Sequence, residues 1–209
     1  MSDPFPLGFF DRDDPRPDDT FYRPDRLVAH IDPAAIAAVG LLYAELGLDG
    51  DVLDLMSSWI SHFLTPPRQL TVLGMNANEL AANAVACERV VHDLNENPQL
   101  PFPDNSFDAV VCCVSVDYLT RPIDVFREVA RVLRPRGPFV TTFSNRCFPT
   151  KAIRGWLHTN DQGHLNLVDR YFALAGGFDP AVAERRTPIS QPGDPLFAVW
   201  ARRARNDNG

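Results

Sequence analysis

The chain has 209 residues, 45% hydrophobic and 22% charged, with a net charge of −7. That length suits one large domain with a substantial core, no apolar run approaches the roughly 20 residues that span a bilayer, and the acidic balance argues against holding a nucleic-acid backbone. The four cysteines (Cys87, Cys112, Cys113, Cys147) lack C-x-x-C spacing and have no histidine in a zinc-like arrangement, so a reduced, metal-free, cytoplasmic protein is expected.

Residues 1–25 hold five prolines and seven aspartates and read as an irregular segment without a basic secretory leader. Phe5, Phe9, Phe10, Phe21 and Tyr22 are too many aromatics for a solvated tail, so part of this segment is expected to dock on the body. A single domain is expected over residues 26–205. Asp32-Pro33 is a helix start, an aspartate cap followed by proline at the first helical position. Ile36, Val39, Leu42, Tyr43 and Leu46 follow at helical spacing, and Gly47 is the stop.

Val52–Leu55 reads as a buried strand, after which Ser57 or Ser58 is placed to cap a helix beginning at Trp59–Leu64 and ended early by Pro66-Pro67. Such a strand–turn–helix edge is where open α/β folds hold anionic groups or nucleotides. Further strands are expected at Leu70–Gly74, Arg89–Asp93, Phe107–Val116 and Phe139–Phe143. Helices are expected from Asn76 and from Pro122, the latter closed by Pro135-Arg136-Gly137. A helix carrying Leu165, Val168, Tyr171, Phe172 and Leu174 ends at Gly176-Gly177, and strand-like pieces follow at Val182–Ile189 and Pro195–Arg203. This alternation predicts an α/β, Rossmann-like, doubly wound and mostly parallel seven-stranded sheet with an antiparallel C-terminal hairpin.

Two stretches carry a resemblance. Leu100–Asp108, LPFPDNSFD, and Phe126–Gly137, FREVARVLRPRG, resemble the segments around the fourth strand and following helix of class I S-adenosylmethionine-dependent methyltransferases, in the branch acting largely on small molecules. Arg136 stands where a glycine is usual. The resemblance runs from about Asp51 to Arg202 and implies the cofactor S-adenosyl-L-methionine. Carried over position by position, Asp54 matches the acid that supports the loop and the methionine amine. Met56, Ser58 and Ile60 stand at the family's three motif I glycines, and Ser57 lies between the first two. Asn76 in Gly74-Met75-Asn76 stands where an acid accepts the ribose hydroxyls, followed by Ala77. Asp93 and Leu94 match the adenine-binding pair, and Cys113 falls where the methionine part lies.

Methyl transfer mainly requires alignment and exclusion of water. His30 reads first as a loop histidine beside a helix cap and second as a candidate base; it and Arg26 precede the first long helix, in a segment that often covers the cofactor in the family. Tyr118, Asn145 and Arg146 follow the fourth and fifth strands at the ligand-binding edge. Arg146 is suited to gripping an acidic group, and Tyr118 to lining an acceptor pocket. His62, His92 and His164 read as surface or packing residues, and Phe148 and Trp156 as core, with a roof over the site as the alternative. The leading expectation is a cytoplasmic methyltransferase of a small-molecule acceptor, with no nucleic-acid or membrane partner. The alternative is a non-catalytic, partner-binding or regulatory protein on the same fold with a degenerate cofactor loop. A nicotinamide oxidoreductase is discounted because the G-x-G-x-x-G turn is missing.

Overall fold

A computed structural model describes residues 4–190 and 192–205. Seven strands form one sheet in the order β3-β2-β1-β4-β5-β7-β6. They are β1 (Asp51–Leu55), β2 (Gln69–Gly74), β3 (Glu88–Val91), β4 (Ala109–Cys113), β5 (Pro138–Phe143), β6 (Val182–Arg185) and β7 (Phe197–Arg202). The first five strands run parallel, and β7 pairs antiparallel with both β5 and β6. The expected C-terminal hairpin is therefore present. Among the described residues no helix is long and apolar enough to cross a membrane.

Both faces of the sheet are covered, which is why its central strands read as unbroken apolar runs. One face packs on α2 (Pro33–Glu45), whose Ala35, Val39, Leu42 and Tyr43 join Val52, Val72, Val111 and Val140. Asp32 caps this helix by accepting the Ala35 N–H, and Gly47 at φ 66 follows its end. The outer side of α2 is not polar as an amphipathic helix would be, since Leu41 is exposed. The opposite face packs on α4 (Pro122–Val132) and α5 (Asp161–Ala175), through Val125, Phe126, Val129, Val168, Tyr171 and Phe172. Phe5, Phe9 and Phe10 extend that second core, with ring centroids 4.9–5.2 Å apart.

The N-terminal segment holds α1 (Asp18–Tyr22) and is tied down ionically. Lys151, the only lysine of the sequence, is fully buried and meets the Arg16 carbonyl at 2.8 Å and Asp18 at 3.0 Å. Arg12 grips both oxygens of Asp18 at 2.7 Å, and Asn95 donates to Asp18 at 2.9 Å.

One expected element is absent. No helix follows β1: residues 57–68 form a loop, and α3 (Ala77–Ala82) is the next helix. Three local causes act together. Met56 turns the backbone left-handed at φ 53. The Ser57 N–H is taken by the Leu73 carbonyl at 2.8 Å. The hydroxyls of Ser57 and Ser61 donate to Asp54 instead of capping a helix. Pro66-Pro67 then leaves no room for a helix to recover. The loop packs on α2, with Phe63 4.8 Å from Tyr43.

Candidate functional site

A cavity of about 300 Å³ opens at the carboxyl ends of β1, β2 and β4, under the N-terminal segment. Open α/β sheets place their ligands there. Of the residues singled out in the sequence, Asp54, Met56, Ser57, Ser58, Asn76, Asp93, Leu94, Cys113, Arg26, His30, Tyr118 and Arg146 all line it. Ala77 and Asn145 do not; both are exposed.

Asp54 forms the floor. It is 4% exposed and accepts Ser57 Oγ at 2.8 Å and Ser61 Oγ at 2.6 Å, both on Oδ2. Among the described residues no donor reaches Oδ1 and no cation pairs with this carboxylate. Burial pushes its pKa up to about 6, with the two serine hydroxyls acting the other way.

The glycine positions of the β1 loop are filled in a particular way. Met56 keeps the left-handed backbone that glycine adopts readily. Gly74 carries the close approach instead, because a Cβ there would collide with the Ser57 carbonyl. Val114, just after β4, is a β-branched residue at φ 46 on the cavity wall. Such strain persists where surrounding structure enforces it, commonly at binding sites. The hydroxyl protons of the loop are spent internally. Ser58 donates to Glu79 at 2.5 Å, and Asn83 donates to the Ser58 carbonyl and to Ser61 Oγ.

Asn76 caps α3, its Oδ1 accepting the N–H groups of Asn78 and Glu79. Its Nδ2 donates to Tyr22 O at 3.0 Å, Arg23 O at 3.3 Å and Asp25 Oδ1 at 2.9 Å. The side chain has no capacity left. At the next strand end, Asp93 Oδ1 accepts the Asn95 and Glu96 N–H groups, a turn that leaves Oδ2 without a protein donor among the described residues. Leu94 is buried beside it. Cys113 is half-buried at the cavity wall, and desolvation raises its thiol pKa to about 12, so it is an apolar wall and no nucleophile.

The roof comes from the N-terminal segment and the loop after β5. Glu79 accepts the Arg26 N–H at 2.7 Å, and Trp59 Nε1 donates to Val28 O at 3.1 Å. The Arg26 guanidinium lies 4.6 Å from the Phe21 ring centroid and 5.7 Å from that of Phe148. His30 is exposed at the mouth, edge-on to Phe148 at 5.3 Å. Partial burial lowers its pKa, with Glu79 acting against and Arg26 with that shift, so the ring is neutral near pH 7. Arg146 is partly engaged by Asp194 at 2.8 Å. The Tyr118 hydroxyl accepts the Phe148 N–H at 2.8 Å and so holds the roof.

Several lining residues had no distinguishing signal in the sequence. Glu79 sits one helical turn past Asn76 and reaches the cavity only because α3 starts there. His62 lines the cavity with its buried Nδ1 unpartnered among the described residues, and burial lowers its pKa. Phe148, expected in the core, lines the cavity. Trp156 is core, stacked at 3.9 Å on His164, whose Nε2 meets the Trp156 carbonyl at 2.9 Å.

Residues 57–141 match the methyltransferase-domain family. The chain is 30% identical over 148 residues to methyltransferase GfsG of Streptomyces halstedii, covering 62% of this chain and 53% of that protein. It is 41% identical over 61 residues to 27-O-demethylrifamycin SV methyltransferase of Amycolatopsis mediterranei (strain S699), covering 29% of this chain and 22% of that protein. The matched stretch thus spans about half or less of these relatives. The fold superposes with a TM-score of 0.59 and 17% identity on Burkholderia thailandensis 1,6-didemethyltoxoflavin-N1-methyltransferase with bound 1,6-didemethyltoxoflavin and S-adenosylhomocysteine, covering 83% of this chain and 80% of that one. Residues 57–141 therefore match a methyltransferase domain, and the chain shares its sheet order and overall fold with that solved methyltransferase.

Proposed function

We propose that this protein is a cytoplasmic S-adenosylmethionine-dependent methyltransferase of a small-molecule acceptor. One observation supports it above the others: two carboxylates at adjacent parts of the cavity, Asp54 and Asp93, each keep an oxygen free of protein donors and meet no cation among the described residues. A cavity whose acids are left unneutralised suits a cationic ligand. The residues present fit S-adenosylmethionine at both ends. Asp54 would accept its ammonium, and Asp93 with Leu94 would take the adenine. When bound, that group supplies an electrophilic methyl on a sulfonium.

The chain's own work is then binding, enclosure and proton handling. Burial holds Asp54 near the point of ionisation (about 6), and an ammonium beside it favours the charged form. Tyr22, Trp59 and Phe148 wall the cavity and exclude water. His30 is neutral at the mouth and takes a proton from an acceptor that must lose one. Arg26 and Arg146 line the same opening and suit an acceptor bearing anionic or polar substituents. Neither Asn145 nor Ala77 is assigned a role.

A second reading has its own observation. The hydroxyls of Ser57, Ser58 and Ser61 and the amide of Asn76 are all committed within the protein, as expected of a non-catalytic, partner-binding module on the same fold. Calorimetric titration of S-adenosylmethionine and S-adenosylhomocysteine separates the two. The enzyme reading expects saturable binding, weakened about 30-fold or more by Asp54→Asn and by Asp93→Ala, the scale of a lost charge-assisted hydrogen bond. No binding at millimolar ligand, with the protein folded, would select the second.

A further inference from the structure

The segment from α1 to His30 crosses the cavity as a strap and contributes Asp18, Tyr22, Arg26 and His30 to its wall. Besides its ionic anchor at Asp18, the Arg26 N–H on Glu79 and the Trp59 indole on the Val28 carbonyl, it is fastened at one point by amide donors. Asn76 Nδ2 reaches the carbonyls of Tyr22 and Arg23 and the carboxylate of Asp25. Asn78 Nδ2 reaches both Asp25 oxygens, at 3.3 and 3.2 Å. All three groups facing Asn76 from the strap are acceptors. An aspartate at position 76 would present them no N–H and would set a like charge against Asp25.

We infer that Asn76 is a positioning residue that fastens the strap over the cavity, and not a ligand of the cofactor's ribose. The amide is required because its partners are acceptors. The consequence for the proposed methyltransferase is that the acceptor-side wall, Tyr22, Arg26 and His30, is set through position 76. The inference rests on the cofactor reading only for this consequence; the fastening itself is independent of it.

The test uses the full chain. Asn76→Asp keeps a good helix cap for α3, since an aspartate oxygen accepts the same N–H groups, so the fold is expected to survive. Trypsin cuts after Arg26 but not after Arg23, which precedes Pro24. Cleavage that follows transient opening reports the open population. We expect Asn76→Asp to be cut after Arg26 about ten times faster than the parent, corresponding to a moderate shift of that equilibrium. The reciprocal pair Asp25→Asn with Asn76→Asp removes the like charge and restores a donor opposite an acceptor at one of the three contacts, leaving the Tyr22 and Arg23 carbonyls without a donor, so it is expected to recover part of the loss and be cut about fivefold faster than the parent. Asp25→Ala, a change confined to the exposed strap, is expected to raise cleavage about threefold. Hydrogen exchange of residues 21–28 gives the same ranking without a protease.

Cleavage of Asn76→Asp at the parent rate, or no recovery in the reciprocal pair, overturns the inference. S-adenosylhomocysteine titration of Asn76→Ala and Asp25→Ala supplies the other arm. Similar affinities in the two support the strap role; a loss about tenfold greater in Asn76→Ala at equal strap cleavage assigns Asn76 to the ligand. If no form binds S-adenosylhomocysteine, the cofactor reading fails, while the cleavage ranking still decides the role of Asn76.

Discussion

The two ends of the sheet treat their carboxylates in opposite ways. At the amino ends of the parallel strands, Asp51 meets Arg68 at 2.8 Å and Arg134 at 3.1 Å, while Asp108 meets Arg134 at 2.6 Å. Nearby, Glu128 meets Arg131 at 2.7 Å. The Arg131 hydrogen bond holds Glu128 below the usual carboxylate range. Asp108 is also held low, its Asp51 N–H and Arg134 contacts outweighing burial. At the carboxyl ends, Asp54 in the cavity and Asp117, which does not line it, are buried and meet no cation among the described residues; burial lifts them to about 6 and about 8. Acids neutralised by fixed guanidinium groups hold a structure together. Acids left without a partner in a low-dielectric cavity are costly unless something charged or protic arrives. The contrast marks the carboxyl edge as the working end.

Lys151 is the exception at that edge, and breaking it gives the largest expected loss of stability. Lys151→Met leaves the buried Asp18 with Arg12 alone and Asp14 with Arg16 alone, and strips the Arg16 carbonyl of its donor, so a loss of about 2 kcal/mol is expected, because one partner of a buried charge network is removed. Urea unfolding followed by fluorescence measures it, and a loss below about 1 kcal/mol would show that Arg12 alone balances Asp18.

Asp117 sharpens the comparison through pH. Its folded pKa of about 8 lies above the unfolded value of about 3.9, so from pH 4 to 8 the native state binds more protons than the unfolded one. Stability from this group is complete below pH 4 and is lost as pH rises through 8. Relative to the parent, Asp117→Asn is expected to gain on the order of 4 kcal/mol between pH 5 and pH 9, about 1.4 kcal/mol per unit up to pH 8 and nothing beyond. Parallel melting curves across that range suffice. Identical pH slopes would mean that a donor reaches Oδ2.

The smallest effect belongs to the paired end. Arg131→Ala removes contacts to Glu128, Asp104 and the carbonyls of Leu100 and Phe102. A cost of about 1 kcal/mol is expected, with unchanged affinity for S-adenosylhomocysteine. Altered affinity would mean that the two ends of the sheet communicate.

The sequence by itself determined the seven strands, the helices other than the one expected after β1, and the residues at the strand ends, because apolar runs and turn chemistry are local signals. Asp32-Pro33 and Gly47 bounded α2, and the Leu100–Gly137 stretch was legible because Arg131 ties its loop to its own helix. Twelve of the fourteen candidate site residues line one cavity, since residues just past parallel strands converge wherever the sheet is built. What only the tertiary structure decided is where side-chain donors and acceptors go. The serines after β1 find Asp54 and Glu79 rather than a helix terminus, and Met56 and Arg136 adopt glycine's backbone at φ 53 and φ 70 without being glycine. Asn76 turns to a strap more than fifty residues away in sequence. Each depends on a partner brought close by folding, so no local pattern carries it.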